Sequence, residues 1–189
     1  MGNKILYFAY GNNREPEIMQ ALTGNKNMVG DEATLKGYVL GIQRLDQVPR
    51  TRLPGLPISP YEAIKRHWSD SFESYVIKKG EGEVKGMVWE LTPEERELVR
   101  DWELIDLGWY KDAKGEAILA NGKKVEIETY ALGDNQEIDK VVDGREYNSF
   151  LSEPENFLRV IEIARREYFE RRRTKEGDVV SKEAYNLVR

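Results

Sequence analysis

The stretch Leu6-Tyr7-Phe8-Ala9-Tyr10-Gly11-Asn12-Asn13 runs an apolar, aromatic strand into a glycine turn. Within a few residues it reaches Glu15-Pro16-Glu17, which reads as a helix start, with proline near the first helical position and acids facing the positive end of the dipole. A strand that passes into a helix over so short a turn commits the chain to a fold that mixes the two. The same junction has chemical potential. The first turn of a helix leaves amide donors unpaired, and the aligned peptide dipoles add roughly half a positive charge at that end, so such a turn can aim N–H groups at one small anion. A carboxylate is a natural occupant.

The rest of the chain reads as a meander of strands with helices inserted. Ile5 to Ala9 is expected as a buried strand, and the first helix should stop at Gly24. Ala33 to Gln43 alternates as a strand, with glycines marking bends or close packing. Four of the seven prolines fall between Val48 and Pro60, which excludes a helix interior or a central strand and predicts a long loop or lid. Tyr61 to His67 reads as a short helix. Phe72 to Lys78 and Glu83 to Leu91 read as two strands of a hairpin turned by Gly80-Glu81-Gly82. Thr92-Pro93-Glu94-Glu95 opens a helix with a threonine N-cap and a capping box closed by Glu95, and that helix should run to Trp102 or Glu103. Asn121-Gly122 is the strongest hairpin signal, joining Glu116–Leu119 to Lys123–Leu132. Glu155 to Arg173 is expected as an amphipathic helix with Phe157, Ile161, Ala164 and Tyr168 on its core stripe.

At 189 residues without a Ser-Gly or Pro-rich linker, one domain over residues 1–175 with a tail over 176–189 is the expectation. A net charge of -5 argues against a general nucleic-acid binder, which needs clustered cations. A chain with no cysteine and one histidine, His67, has no thiolate nucleophile and poor means to build a zinc site. Acid–base work falls to carboxylates, tyrosines or lysines. With no signal-like N-terminus and no apolar run of roughly 20 residues, a cytoplasmic protein acting on a small molecule, away from membranes, is expected. Oligomeric state stays open. A nucleotide site fits poorly, because Tyr10-Gly11-Asn12-Asn13 supplies one glycine and no following lysine.

Tyr10-Gly11-Asn12-Asn13 resembles the Tyr-Gly-Ser-Asn loop of γ-glutamylcyclotransferases, the AIG2-like proteins. Glu83-Val84-Lys85-Gly86-Met87-Val88-Trp89-Glu90-Leu91 is similar to that family's strand of form V-x-G-x-V-W-x-L. Val99 to Tyr110 resembles its L-D-x-x-E-G segment followed by a tyrosine, and Thr129-Tyr130-Ala131-Leu132 and Arg145-Glu146-Tyr147 resemble a late core strand and a tyrosine-bearing turn. These likenesses keep the family's order from residue 5 to about residue 170. Asn12 departs from the usual serine or threonine, Leu104 from a glycine and Arg100 from an aspartate.

The resemblance implies an α+β fold, a small mixed β-barrel or sheet with flanking helices. It also implies a reaction in which the α-amine of a γ-glutamyl amide attacks its own γ-carbonyl, closes 5-oxoproline and expels an amine or amino acid, with no cofactor. Glu103 is then the candidate general acid/base, with partial burial beside Trp102 or Trp109 expected to raise its pKa. By itself the sequence reads it first as a helix-end glutamate in a salt bridge, and the resemblance reverses that order. Tyr7, Phe8, Ala9, Tyr10, Gly11, Asn12 and Asn13 form the candidate substrate cradle, Gly11 allowing positive φ or close approach. Tyr110 and Tyr147 are either pocket or core residues, and His67 reads as a surface or loop residue. The alternatives are a γ-glutamyl amide hydrolase and a non-catalytic carboxylate-binding protein on the same fold.

Overall fold

The structure, a computed structural model, describes residues 4–151 and 153–186, with side chains described through 175. Strand β1 (Ile5–Ala9) pairs antiparallel with β3 (Glu73–Leu91) and parallel with β5 (Lys124–Ala131). Beside β5 lie β4 (Lys111–Leu119), then β2 (Gly30–Arg44), and β2 pairs back onto β3, so these five strands close into a barrel. A short sixth strand, β6 (Lys140–Val142), extends β2 outside the closure. The helices are α1 (Pro16–Thr23), α2 (Pro60–Lys65), α3 (Pro93–Trp102) and α4 (Phe157–Asn186). Among the described residues no helix is long and apolar enough to cross a membrane.

Period-two alternation along the strands divides the apolar residues into two layers. Phe8, Leu35, Leu40, Ile77, Val84, Val88 and Ile127 form a cluster made of strand residues, the barrel interior. Tyr7, Val76, Trp89 and Tyr130 point the other way and pack with Ile18, Met19 and Leu22 of α1, Val99 of α3 and Val160 and Ile161 of α4. Burial of this second layer, rather than propensity, holds the helices in place.

The predicted starts and stops hold where their signals are local. α1 begins at Pro16 and ends on Gly24 with φ of +78°. Ser59 and Thr92 each cap a helix through a capping box, the latter as expected. The hairpin at Gly122 forms, although β4 begins earlier than expected, at Lys111. α4 runs on to Asn186, beyond the expected Arg173, while the side chains of the predicted tail 176–189 lie outside the described residues.

The predicted hairpin at Gly80-Glu81-Gly82 is wrong. β3 is one strand of 19 residues that follows β2 along its whole length. Tyr38 pairs with Lys79 and Lys36 with Glu83, so the three-residue Gly-Glu-Gly stretch lies opposite Gly37 as an irregularity in the ladder. A chain reversal there would strip Tyr38–Arg44 of its partner. The glycines answer a different need: a Cβ on Gly82 would stand 2.8 Å from the Tyr38 carbonyl oxygen, and one on Gly80 would stand 3.1 Å from Val39 Cγ1. They let the long ribbon bend into a barrel wall.

Candidate active site

α3 ends in a way that aims Glu103. The Leu104 N–H donates to the Asp101 carbonyl (3.1 Å) and the Ile105 N–H to the Arg100 carbonyl (3.1 Å), the paired bonds of a Schellman motif. That motif requires a left-handed residue just past the cap, and Leu104 supplies it with φ of +52°. Glu103, as C-cap, is thereby turned off the helix axis toward the Gly11–Arg14 turn.

That turn is a single 3-10 turn opened by Gly11 at φ of +62°, a conformation that favours glycine. Asn13 is 1% exposed and bridges two groups: its Nδ2 donates to Glu103 Oε1 at 2.6 Å and to the Tyr7 hydroxyl at 3.2 Å. Its backbone carbonyl accepts from Trp89 Nε1 at 2.9 Å, which ties the turn to β3. The glycine turn and the acid, 90 residues apart, therefore meet directly.

Burial pushes the Glu103 carboxyl up to about 7, and the Asn13 hydrogen bond only partly offsets this. Tyr7, Tyr10 and Tyr110 are raised well above the usual phenol range by burial, and the charge of Glu103 adds to the effect. Burial likewise raises Tyr130. These hydroxyls stay protonated, so the acid sits among neutral donors with no cation paired to it among the described residues. That removes the salt-bridge reading of Glu103.

A cavity of about 690 Å³ opens beside the acid in the layer between barrel and helices. Asn12 and Glu103 share its wall with Trp102 and Trp109, one or the other of them expected beside the acid. Of the predicted cradle, Asn12 alone lines the cavity. Tyr7 and Asn13 act behind it through the hydrogen bonds above. Phe8 is fully buried in the barrel interior, its carbonyl accepting from Thr129 Oγ1 at 2.9 Å, and Ala9 is also fully buried. Both belong to the core rather than to the cavity wall, because alternation turns Phe8 inward and Ala9 carries no side chain long enough to reach out. The Tyr10 hydroxyl donates to the Tyr130 carbonyl at 2.8 Å, and the Gly11 amide faces the Tyr147 hydroxyl at a long 3.4 Å. Tyr147 itself donates to the Lys85 carbonyl at 2.6 Å, while Tyr110 stacks on Trp109 with centroids 4.5 Å apart.

No protein-family model and no curated protein matches the sequence. Solved structures do resemble it. A protein described as γ-glutamyl cyclotransferase superposes with a TM-score of 0.54 at 20% identity, over 72% of this chain and 70% of that one. The chain has the γ-glutamyl cyclotransferase fold. An uncharacterized protein from Homo sapiens gives 0.53 at 20% identity over 71% and 69%, and YkqA from Bacillus subtilis gives 0.51 at 16% over 86% and 55%. The resemblance drawn from the motifs and the architecture thus agree.

Within the γ-glutamyl cyclotransferase fold, sequence reasoning missed much of the cavity. Trp68, Phe72 and Phe157 line it, as do Leu56, Pro57 and Ile58 of the proline-rich loop. Their helical and loop spacings signal burial only, and nothing local tells a core aromatic from one facing a void. His67, expected at the surface or in a loop, lies in the turn after α2, half-buried at the cavity edge, and burial lowers its pKa. Arg100, where the family has an aspartate, pairs with Asp106 at 3.4 Å and with Asp112 of β4, fastening the end of α3 to the barrel.

Proposed function

We propose that this protein is a γ-glutamyl cyclotransferase that converts a γ-glutamyl amide to 5-oxoproline and a free amine. What supports the reading most is a single juxtaposition: a buried carboxyl raised to about 7, hydrogen-bonded at 2.6 Å to the glycine turn, on the wall of a ligand-sized cavity.

Nucleophile and electrophile share one molecule, so the protein must fold the substrate and manage a proton. The α-ammonium sheds one proton to solvent to give the neutral amine, and Glu103 in its charged form accepts the second proton that this nitrogen gives up as it attacks the γ-carbonyl. The carbonyl oxygen takes on negative charge, and Asn12, the residue of the Gly11–Arg14 turn that stands on the cavity wall, is placed to stabilise it. The C–N bond to the departing amine then breaks, and Glu103 returns the same proton to that nitrogen. Atoms balance without water. A carboxyl near 7 suits both halves of this cycle better than an ordinary glutamate near 4.5, which is too weak a base for the first.

The test is to incubate the protein with γ-glutamyl amino acids and γ-glutamyl amines and follow 5-oxoproline. Glu103→Gln keeps the shape and the acceptor for Asn13, and should lower turnover by roughly two to four orders of magnitude. Near-normal turnover in that variant refutes the role of Glu103. Release of glutamate in place of 5-oxoproline refutes ring closure in favour of hydrolysis.

A further inference from the structure

The cavity beside Glu103 is walled by a continuous arc of rings. Trp102 faces Phe157 with centroids 6.4 Å apart, Phe157 meets Trp68 edge-on at 4.7 Å, Trp68 meets Phe72 at 5.3 Å, and Phe72 meets Trp109 at 6.2 Å. All five rings line the same void of about 690 Å³. Trp102 is half-buried, while Trp68, Phe72, Trp109 and Phe157 belong to the core and show only an edge to the cavity, a lining suited to the apolar part of a ligand.

Leu104 adds an independent observation. Its backbone keeps the left-handed conformation, φ of +52°, that a glycine would adopt without strain, yet a leucine occupies the position and its side chain lines the cavity next to Glu103. A strained non-glycine residue persists where its side chain serves a purpose. Here that side chain adds apolar surface to the cavity wall beside Glu103. At the far end of the cavity Arg171 holds Asp101 with two bonds, of 2.6 and 2.7 Å, and Arg172 faces Glu94 at 3.8 Å.

We infer that the ring-lined arm of this cavity receives the departing group, and that the preferred substrates are γ-glutamyl amides whose leaving nitrogen carries an aromatic or long alkyl group. The inference rests on the cyclotransferase reading and deepens it. The glutamyl head is placed by the glycine turn and Glu103, and discrimination among amides comes from water released off the rings when an apolar substituent enters.

The experiment compares kcat/KM for 5-oxoproline release from γ-glutamylphenethylamine and γ-glutamylphenylalanine with that from γ-glutamylalanine and γ-glutamylmethylamine, in the wild type and in Leu104→Gly. Both aromatic substrates should exceed their small counterparts by roughly tenfold to a hundredfold, the range expected for burying several methylene-sized groups. Leu104→Gly, which relieves the backbone and so should fold, should reduce that ratio several-fold. Equal kcat/KM across the four substrates, or an unchanged ratio in Leu104→Gly, overturns the inference and leaves the cyclotransferase reading intact. No 5-oxoproline from any of them overturns both.

Discussion

Replacing Glu103 by glutamine should stabilise the protein at alkaline pH while leaving it unaffected in acid. A carboxyl displaced from 4.5 to about 7 by burial is a cost the folded state bears only when the group is charged. The folded protein holds the proton more tightly than the unfolded chain does. Stability from this group is therefore fully present below about 4.5 and is lost as pH rises through about 7. At 1.36 kcal/mol for each pH unit of displacement, the loss amounts to about 3 kcal/mol. Glutamine keeps the oxygen that accepts from Asn13 and never ionises, so the variant escapes the loss. The measurable quantity is the difference in unfolding free energy between variant and wild type, followed by urea titration from pH 4.5 to 8.5. Any constant offset from the exchange cancels in its pH dependence. The difference should grow by about 3 kcal/mol across that window, equivalent to roughly 6–12 °C in Tm for a domain of this size. A difference that stays flat with pH would refute the burial argument and, with it, the tuning of the base.

The other expectations follow from the same geometry. Wild-type kcat/KM should rise with pH through an apparent pKa near 7, the free-enzyme value of Glu103, and a limb near 4.5 would contradict a buried base. Asn13→Ala removes the hydrogen bond that holds the carboxyl down, so the limb should move to more alkaline pH, with about 1–3 kcal/mol of stability lost in a denaturant titration. Gly11→Val forces a β-branched side chain to φ of +62° with its Cβ 3.3 Å from Tyr75 Cβ. It should abolish binding of 5-oxoproline, measured by calorimetry, in a chain that still folds by circular dichroism. Gly86→Ala would place a methyl 2.3 Å from the Ala9 carbonyl oxygen, on backbone that cannot yield cheaply, and should cost at least about 2 kcal/mol by thermal unfolding.

What the sequence reveals here depends on how far apart the interacting residues lie. The ends of α1 and the start of α3 are legible because a cap and its partner fall within four residues, as with Thr92 and Glu95. Gly80-Glu81-Gly82 misleads for the opposite reason. It has the local chemistry of a turn, but its conformation is decided by β2, about forty residues upstream, which pairs on both sides of it. β6 is three residues long and carries no signal of its own. Glu103 viewed locally is one more acid at a helix end, and only the motif resemblance separated it from its neighbours. Its environment is set by Asn13 and Tyr7, both remote in the chain, so burial and proton affinity at the site had no local signature.

Leu104 shows how a departure from a motif can be legible as a letter and still opaque as physics. A leucine in place of glycine at the end of a helix invites the inference that the backbone has changed. The Schellman bonds at Leu104 and Ile105 and the φ of +52° show instead that the helix end takes the left-handed conformation a glycine favours, with a leucine side chain added to it. Relieving that conformation should return roughly 1 kcal/mol, while losing a half-buried leucine side chain costs a similar amount, so Leu104→Gly should leave stability within about 1 kcal/mol of the wild type. A large gain on substitution would mean the side chain contributes little against the cavity, and a large loss would mean it is a core residue. Near-neutrality is the result that leaves selection among leaving groups as the reason for a strained leucine beside the acid.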